Sequence, residues 1–299
     1  MLRVRLLECL AADQARLRQV ASADLAAAVP SCPDWTVADL VRHVATVYLH
    51  KVECMRTGRI PSSWPPDLSG EEPLALLDRA CLALRAEFDS RDPGALAPTW
   101  YDPDQTVGFW LRRMAQETVV HRVDAELAVA GAVTEIPADL AVDGIDEVLR
   151  IFLGYGSRRW PERFTDVLPD SAIRLLATAG PASWQIRLGP EGATVAADRA
   201  AVARATAAPP GTDRPDAASE RGSAGAGAAG GGASATGGAA TSGPAADPPS
   251  EAGPAATISA SPERLLLWLW RRSAADAVGW TGDRAAVDRL RLALAPATR

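Results

Sequence analysis

Between Trp110 and Ala128 the chain reads Trp-Leu-Arg-Arg-Met-Ala-Gln-Glu-Thr-Val-Val-His-Arg-Val-Asp-Ala-Glu-Leu-Ala, with no glycine or proline. Good helix formers dominate it, so the spacing predicts a helix. Trp110, Met114, Glu117, His121, Asp124 and Ala128 fall on one face of that helix. Leu111, Ala115, Val119, Val120, Val123 and Leu127 occupy much of the rest. Such a helix is buried on most sides, yet it points a carboxylate and an imidazole, four residues apart, the same way. Burial does not leave that pair uncompensated. It either satisfies itself by hydrogen bonding or binds something, a metal ion being the sharpest candidate.

The neighbouring segments read as a helical bundle. Leu2, Leu6, Leu10, Leu17, Val20 and Leu25 suit one helical stripe over residues 2–28, ended by Pro30 and Pro33. Thr36 is placed to cap a second helix, with Asp39 completing an acidic variant of the capping box. That helix runs to about Arg56, and Gly58 suits its terminal turn. A Pro-rich loop follows, and Pro73 opens a third helix through Phe88. A second loop leads to the helix around Glu117, and a further helical segment runs from about Pro137 to Phe152, ended by Gly154 and Gly156. Amphipathic helices joined by loops predict an antiparallel four-helix bundle over residues 1–156.

The second half changes character. Residues 173–178, 183–188 and 193–196 read as short strands between Gly/Pro turns. From about 206 to 254 the chain is nearly all Ala, Gly, Pro, Ser, Thr and Asp, too poor in large apolar residues to offset its ordering entropy, so it reads as a disordered insert. Structure is expected to resume with a strand at 256–260. A helix opened by Ser261-Pro262, a last strand near Val278–Gly282 and a helix capped by Asp283 follow. The tail after the insert is too short to fold alone. Residues 157–299 are therefore expected to form one small α+β domain around the insert.

Composition narrows the function classes. A net charge of -6 with no basic stripe argues against a nucleic-acid partner. No apolar run approaches the roughly 20 residues that span a bilayer. The first residues read as an amphipathic helix rather than a signal peptide. Cys9, Cys32, Cys54 and Cys81 lack CxxC spacing and fit the reduced thiols of a cytoplasmic protein. No phosphate-binding glycine loop is present, since the glycines of the insert lack a flanking strand and helix.

The chain has three histidines. His43 lies mid-helix beside Leu40 and Val47, where a bundle brings it opposite Glu117 and His121. Two histidines and a glutamate form a common catalytic zinc set with one position left open. His50, two turns beyond His43, is a second-shell group, the third ligand in another register, or a solvent-facing residue. Asp124 either orients His121 or pairs with Arg113 or Arg122.

The stretches Cys32-Pro33-Asp34-Trp35-Thr36-Val37-Ala38-Asp39-Leu40-Val41-Arg42-His43-Val44 and Gln116-Glu117-Thr118-Val119-Val120-His121-Arg122-Val123-Asp124-Ala125-Glu126 resemble the mycothiol-dependent maleylpyruvate isomerase family. The resemblance continues at Asp143–Glu147, Leu265–Arg272 and Thr281–Arg284. It implies a DinB-like N-terminal bundle and a small α+β C-terminal domain. It also implies His43, Glu117 and His121 as ligands of Zn2+ or another divalent ion, and mycothiol as thiol cosubstrate. The family's C-terminal domain supplies an arginine to the site, matched here by Arg272. Arg271 stands where the family usually has glycine. The expected protein is thus a cytoplasmic enzyme, monomer or homodimer, that adds mycothiol to a small electrophile, as an isomerase or an S-transferase. The alternatives are a DinB-like protein that binds a metal or ligand without chemistry, or a metal-dependent hydrolase.

Overall fold

The computed structural model describes residues 1–164, 170–178, 180–198 and 253–298, with 200, 202, 204 and 206 besides. Residues 207–252, the bulk of the expected insert, lie outside them. Four helices form the N-terminal part: α1 (Arg3–Ala21), α2 (Val37–Thr57), α3 (Pro73–Ser90) and α4 (Val107–Val129). α1 packs along α4, α2 along α3, and α2 crosses to α4.

Local chemistry sets the helix ends. Thr36 accepts from the Asp39 N–H while Asp39 accepts from the Thr36 N–H, a full capping box. Gly58 closes α2 in the left-handed conformation. Thr106 caps α4 by accepting from the Phe109 N–H, so the helix begins at Val107, three residues upstream of the start expected from Trp110. α1 stops at Ala21, short of the expected residue 28. Beyond it Asp24 Oδ1 accepts from the Ala26 N–H at 2.9 Å, an Asx turn that competes with the helix. The segment then folds back on the start of α2 through Ala38 N–H to Leu25 O and Val37 N–H to Ala27 O. This return carries Ser31 and Trp35 to the mouth of the bundle.

α5 (Ala138–Glu147) runs on into a π-helical segment, Val148–Tyr155, and then α6 (Gly156–Arg159). The helix does not stop at Gly154 and Gly156 as expected. Those glycines are buried close to other groups: a Cβ on Gly154 would lie 3.2 Å from Leu149 O and 3.6 Å from Val195 Cγ2. They serve close packing rather than termination.

The C-terminal part is a five-stranded sheet of β1 (Ser171–Ala177), β2 (Ser183–Gly189), β3 (Gly192–Ala197), β4 (Ala256–Ala260) and β5 (Gly279–Gly282), with α7 (Pro262–Leu269) and α8 (Arg284–Ala297). The strand order is β3-β2-β1-β4-β5. β1 and β4 are parallel, and the other neighbours are antiparallel. Leu175 faces Trp184 on one side and Ile258 on the other. Side chains alternate, so Ile173, Leu175, Trp184, Ile186 and Ile258 are buried on one face. α8 covers β1 and β4, and the π-helical segment covers β3. α7 packs on α5. This contact brings the end of α7 to the bundle's α4.

Candidate metal centre

α2 and α4 each present one face to a shared cleft, and three side chains meet there. Glu117 Oε1 lies 3.3 Å from His43 Nε2 and 3.2 Å from His121 Nε2. The three candidate ligand atoms all lie within 4.8 Å of one another. The imidazoles meet edge to face with centroids 5.0 Å apart. Donors 2.0–2.1 Å from a tetrahedral ion are about 3.3 Å apart. The separations of Glu117 Oε1 from the two imidazole nitrogens match that edge, so a donor set of two imidazoles and one carboxylate fits a divalent cation here.

Both α4 side chains of the cluster are fixed from behind. Arg113, one turn before Glu117, donates to Glu117 Oε2 at 2.6 Å and also to the buried Glu147 of α5. The Arg113 guanidinium lies over the rings of Phe152 and Trp270. His121 Nδ1 donates to Asp124 Oδ2 at 2.9 Å, which leaves Nε2 facing the cleft. Asp124 also accepts from the Ser31 hydroxyl. Arg272 closes on Asp124 with Nε at 2.8 Å and Nη2 at 2.9 Å. Trp35 packs on the outer side of His43, with ring centroids 5.0 Å apart.

The electrostatics favour positive charge. Burial alone would push the Glu117 carboxyl up, but the charge of His121, hydrogen bonds from both imidazoles and Arg113 hold it well below the usual carboxylate range. Burial would depress His121, yet Glu117 and Asp124 raise it to about 9. Asp124 is likewise lowered against its own burial, by hydrogen bonds from His121 and Arg272 and by their charge. Two carboxylates that keep a proton on an imidazole also attract a cation to the same point.

His43, Glu117 and His121, picked out in the sequence, therefore stand together, and Asp124 is beside them on His121. Arg272 reaches the cluster too, but its fork lies on Asp124 and its Nη1 on Trp270 O, at 2.8 Å, rather than open to a carboxylate from outside. His50 is apart from the triad. Its Nδ1 lies 3.2 Å from Lys51 Nζ and 3.5 Å from Cys54 Sγ, and its ring meets Trp64. Burial, then the Lys51 charge, pushes it down to about 4. Arg122 points off the ligand face to Glu126 and Asp13. Sequence reasoning missed Ser31 and Glu147. Arg113 was weighed only as a partner of Asp124, although its spacing from Glu117 is that of a helical ion pair.

Residues 6–126 match the family described as the mycothiol maleylpyruvate isomerase N-terminal domain. The N-terminal bundle is thus similar to that domain family. The match begins within α1 and ends near the close of α4, so it takes in His43, Glu117 and His121 and stops short of Arg272. No curated protein and no solved structure matches the chain. Among the described residues no helix is long and apolar enough to cross a membrane.

Proposed function

We propose that the protein is a divalent-metal-dependent, mycothiol-dependent enzyme of the maleylpyruvate isomerase type, acting on a small electrophile. The observation that carries this reading is the convergence of His43 Nε2, Glu117 Oε1 and His121 Nε2 within 4.8 Å, inside a domain of that family. Zn2+ suits two imidazoles and a carboxylate, as do other divalent ions. Held by these three donors, such a cation would lower the pKa of a thiol brought to it.

The chain's own residues do the rest. His121 would offer a neutral nitrogen to a cation once the proton that Glu117 and Asp124 help it keep has left. Asp124 keeps the His121 proton on Nδ1 and Nε2 toward the cleft. Arg113 holds the second oxygen of Glu117 away from the cleft. The reaction class is addition of the mycothiol sulfur to an electrophilic carbon. Rotation and elimination then complete an isomerisation, or the adduct leaves as the product of a transfer. His121→Ala is expected to abolish stoichiometric zinc binding and mycothiol-dependent turnover. Full zinc content in that variant by elemental analysis would overturn the ligand assignment.

A second reading is favoured by one feature: Glu117 Oε1 already lies within hydrogen-bond reach of both imidazoles, so the cluster can satisfy itself without an ion. On that reading the bundle binds a partner or ligand without chemistry. Cobalt substitution separates the two. The enzyme reading requires a cobalt spectrum that changes on adding mycothiol; a spectrum indifferent to thiol supports the non-catalytic one.

A further inference from the structure

We propose that Arg272 is a positioning residue for His121, acting through Asp124, so that the C-terminal part of the chain sets the metal affinity of the N-terminal bundle. This rests on the metal reading above and assigns Arg272 a role other than anchoring a substrate carboxylate.

Asp124 has no exposed surface, and its two oxygens are shared among His121, Ser31 and Arg272. The oxygen that orients His121, Oδ2, also accepts from Arg272 Nη2, while Arg272 Nε takes Oδ1. A bidentate fork fixes the plane of a carboxylate as well as its charge. Fixing that plane fixes the acceptor of the His121 Nδ1 proton, and with it the aim of Nε2.

Arg272 is itself held rigidly. Its backbone N–H donates to Leu267 O at 2.8 Å as the chain leaves α7, and its Nη1 donates to Trp270 O. The side chain is 9% exposed. A guanidinium free to capture substrate would present its paired N–H groups to the cleft. Here that pair is spent on a carboxylate of the protein, 148 residues away in sequence.

The test measures Zn2+ affinity of the metal-stripped full chain by chelator competition at fixed pH. Arg272→Ala and Asp124→Asn are each expected to weaken zinc binding about 10- to 100-fold, the usual cost of losing a partner behind a ligating histidine. The double variant should be no weaker than the worse single one, because both break the same chain of contacts. Arg272→Lys should recover only part of the loss, since a point charge cannot span both oxygens. Leu266→Ala, which loosens α7 against α5 without touching Asp124, should lower the thermal midpoint and leave zinc affinity within twofold. Wild-type affinity in Arg272→Ala overturns the proposal, as does an equal loss in Leu266→Ala, which would make docking in general the agent. If Arg272→Ala does not fold, Arg272→Lys and Asp124→Asn decide. His121→Ala separates the two levels: loss of zinc there with none in Arg272→Ala sinks the positioning role alone, whereas unchanged zinc in His121→Ala, or none in the wild type, sinks the metal reading with it.

Discussion

At the scale of single residues, Arg271 shows how a departure from a pattern becomes physically readable. The residue after Trp270 has φ 61°, in the left-handed region that side chains other than glycine enter at a cost of roughly 1–2 kcal/mol. The Arg271 N–H donates to Trp268 O and the Arg272 N–H to Leu267 O, the bonds of a helix closed by a left-handed residue. Glycine suits that position. Arg271 is exposed, and its charge adds to burial in lowering the Arg291 guanidinium. Arg271→Gly is therefore expected to raise the denaturation midpoint, by about 0.5–1 kcal/mol once the entropy of a freer unfolded chain is set against the relieved strain. An unchanged or lower midpoint in urea unfolding would show that Arg271 makes a compensating contact.

At the scale of elements, α5 is the piece that joins α4 to the C-terminal part, and Gly144 is where it does so. A Cβ there would lie 2.4 Å from Gln116 Oε1 of α4 and 2.9 Å from Leu266 Cδ1 of α7. Gln116 is fully buried, and its Nε2 donates to Leu140 O and Asp143 Oδ2, both at 3.1 Å, so its amide has little room to swing. Alanine outranks glycine by about 1 kcal/mol in a helix interior, but overpacking of this kind costs roughly 1–3 kcal/mol. Gly144→Ala is expected to lower the thermal midpoint by a few degrees, against the propensity rule; a rise would show that α7 yields. The same scale marks what the sequence could disclose. The caps at Thr36, Ser261 and Asp283 are local, and the strand at 256–260 stands where its composition puts it. His43, Glu117 and His121 were legible because helical spacing and the rarity of histidine narrow the choice. The early end of α1 was not, because a carboxylate–backbone turn competes there with a good apolar stripe. The Arg272–Asp124 pair was not either: no local rule links residues so distant in sequence.

At the scale of the whole molecule, the described residues of 1–208 and 254–299 form one compact unit, and polar contacts, some of them buried, cross between its helical and sheet parts. Trp184 Nε1 of β2 donates to Asp146 of α5, Arg158 of α6 to Ala193 O of β3, and Arg272 to Asp124. Breaking either part strands charged or polar partners in the other, at about 1–3 kcal/mol for each group left unsatisfied. The bundle and sheet are therefore expected to unfold together, with far-ultraviolet ellipticity and tryptophan fluorescence giving coincident transitions. If the metal reading holds, zinc at about a hundredfold its dissociation constant adds about 2.7 kcal/mol. With Asp124 and Arg272 tying His121 to the C-terminal part as proposed, that gain should move both probes by the same amount, and a chelator should reverse it in both. A chelator that shifts the helical signal alone, leaving the Trp184 environment to melt at its former midpoint, would mean that the sheet does not share in holding the site.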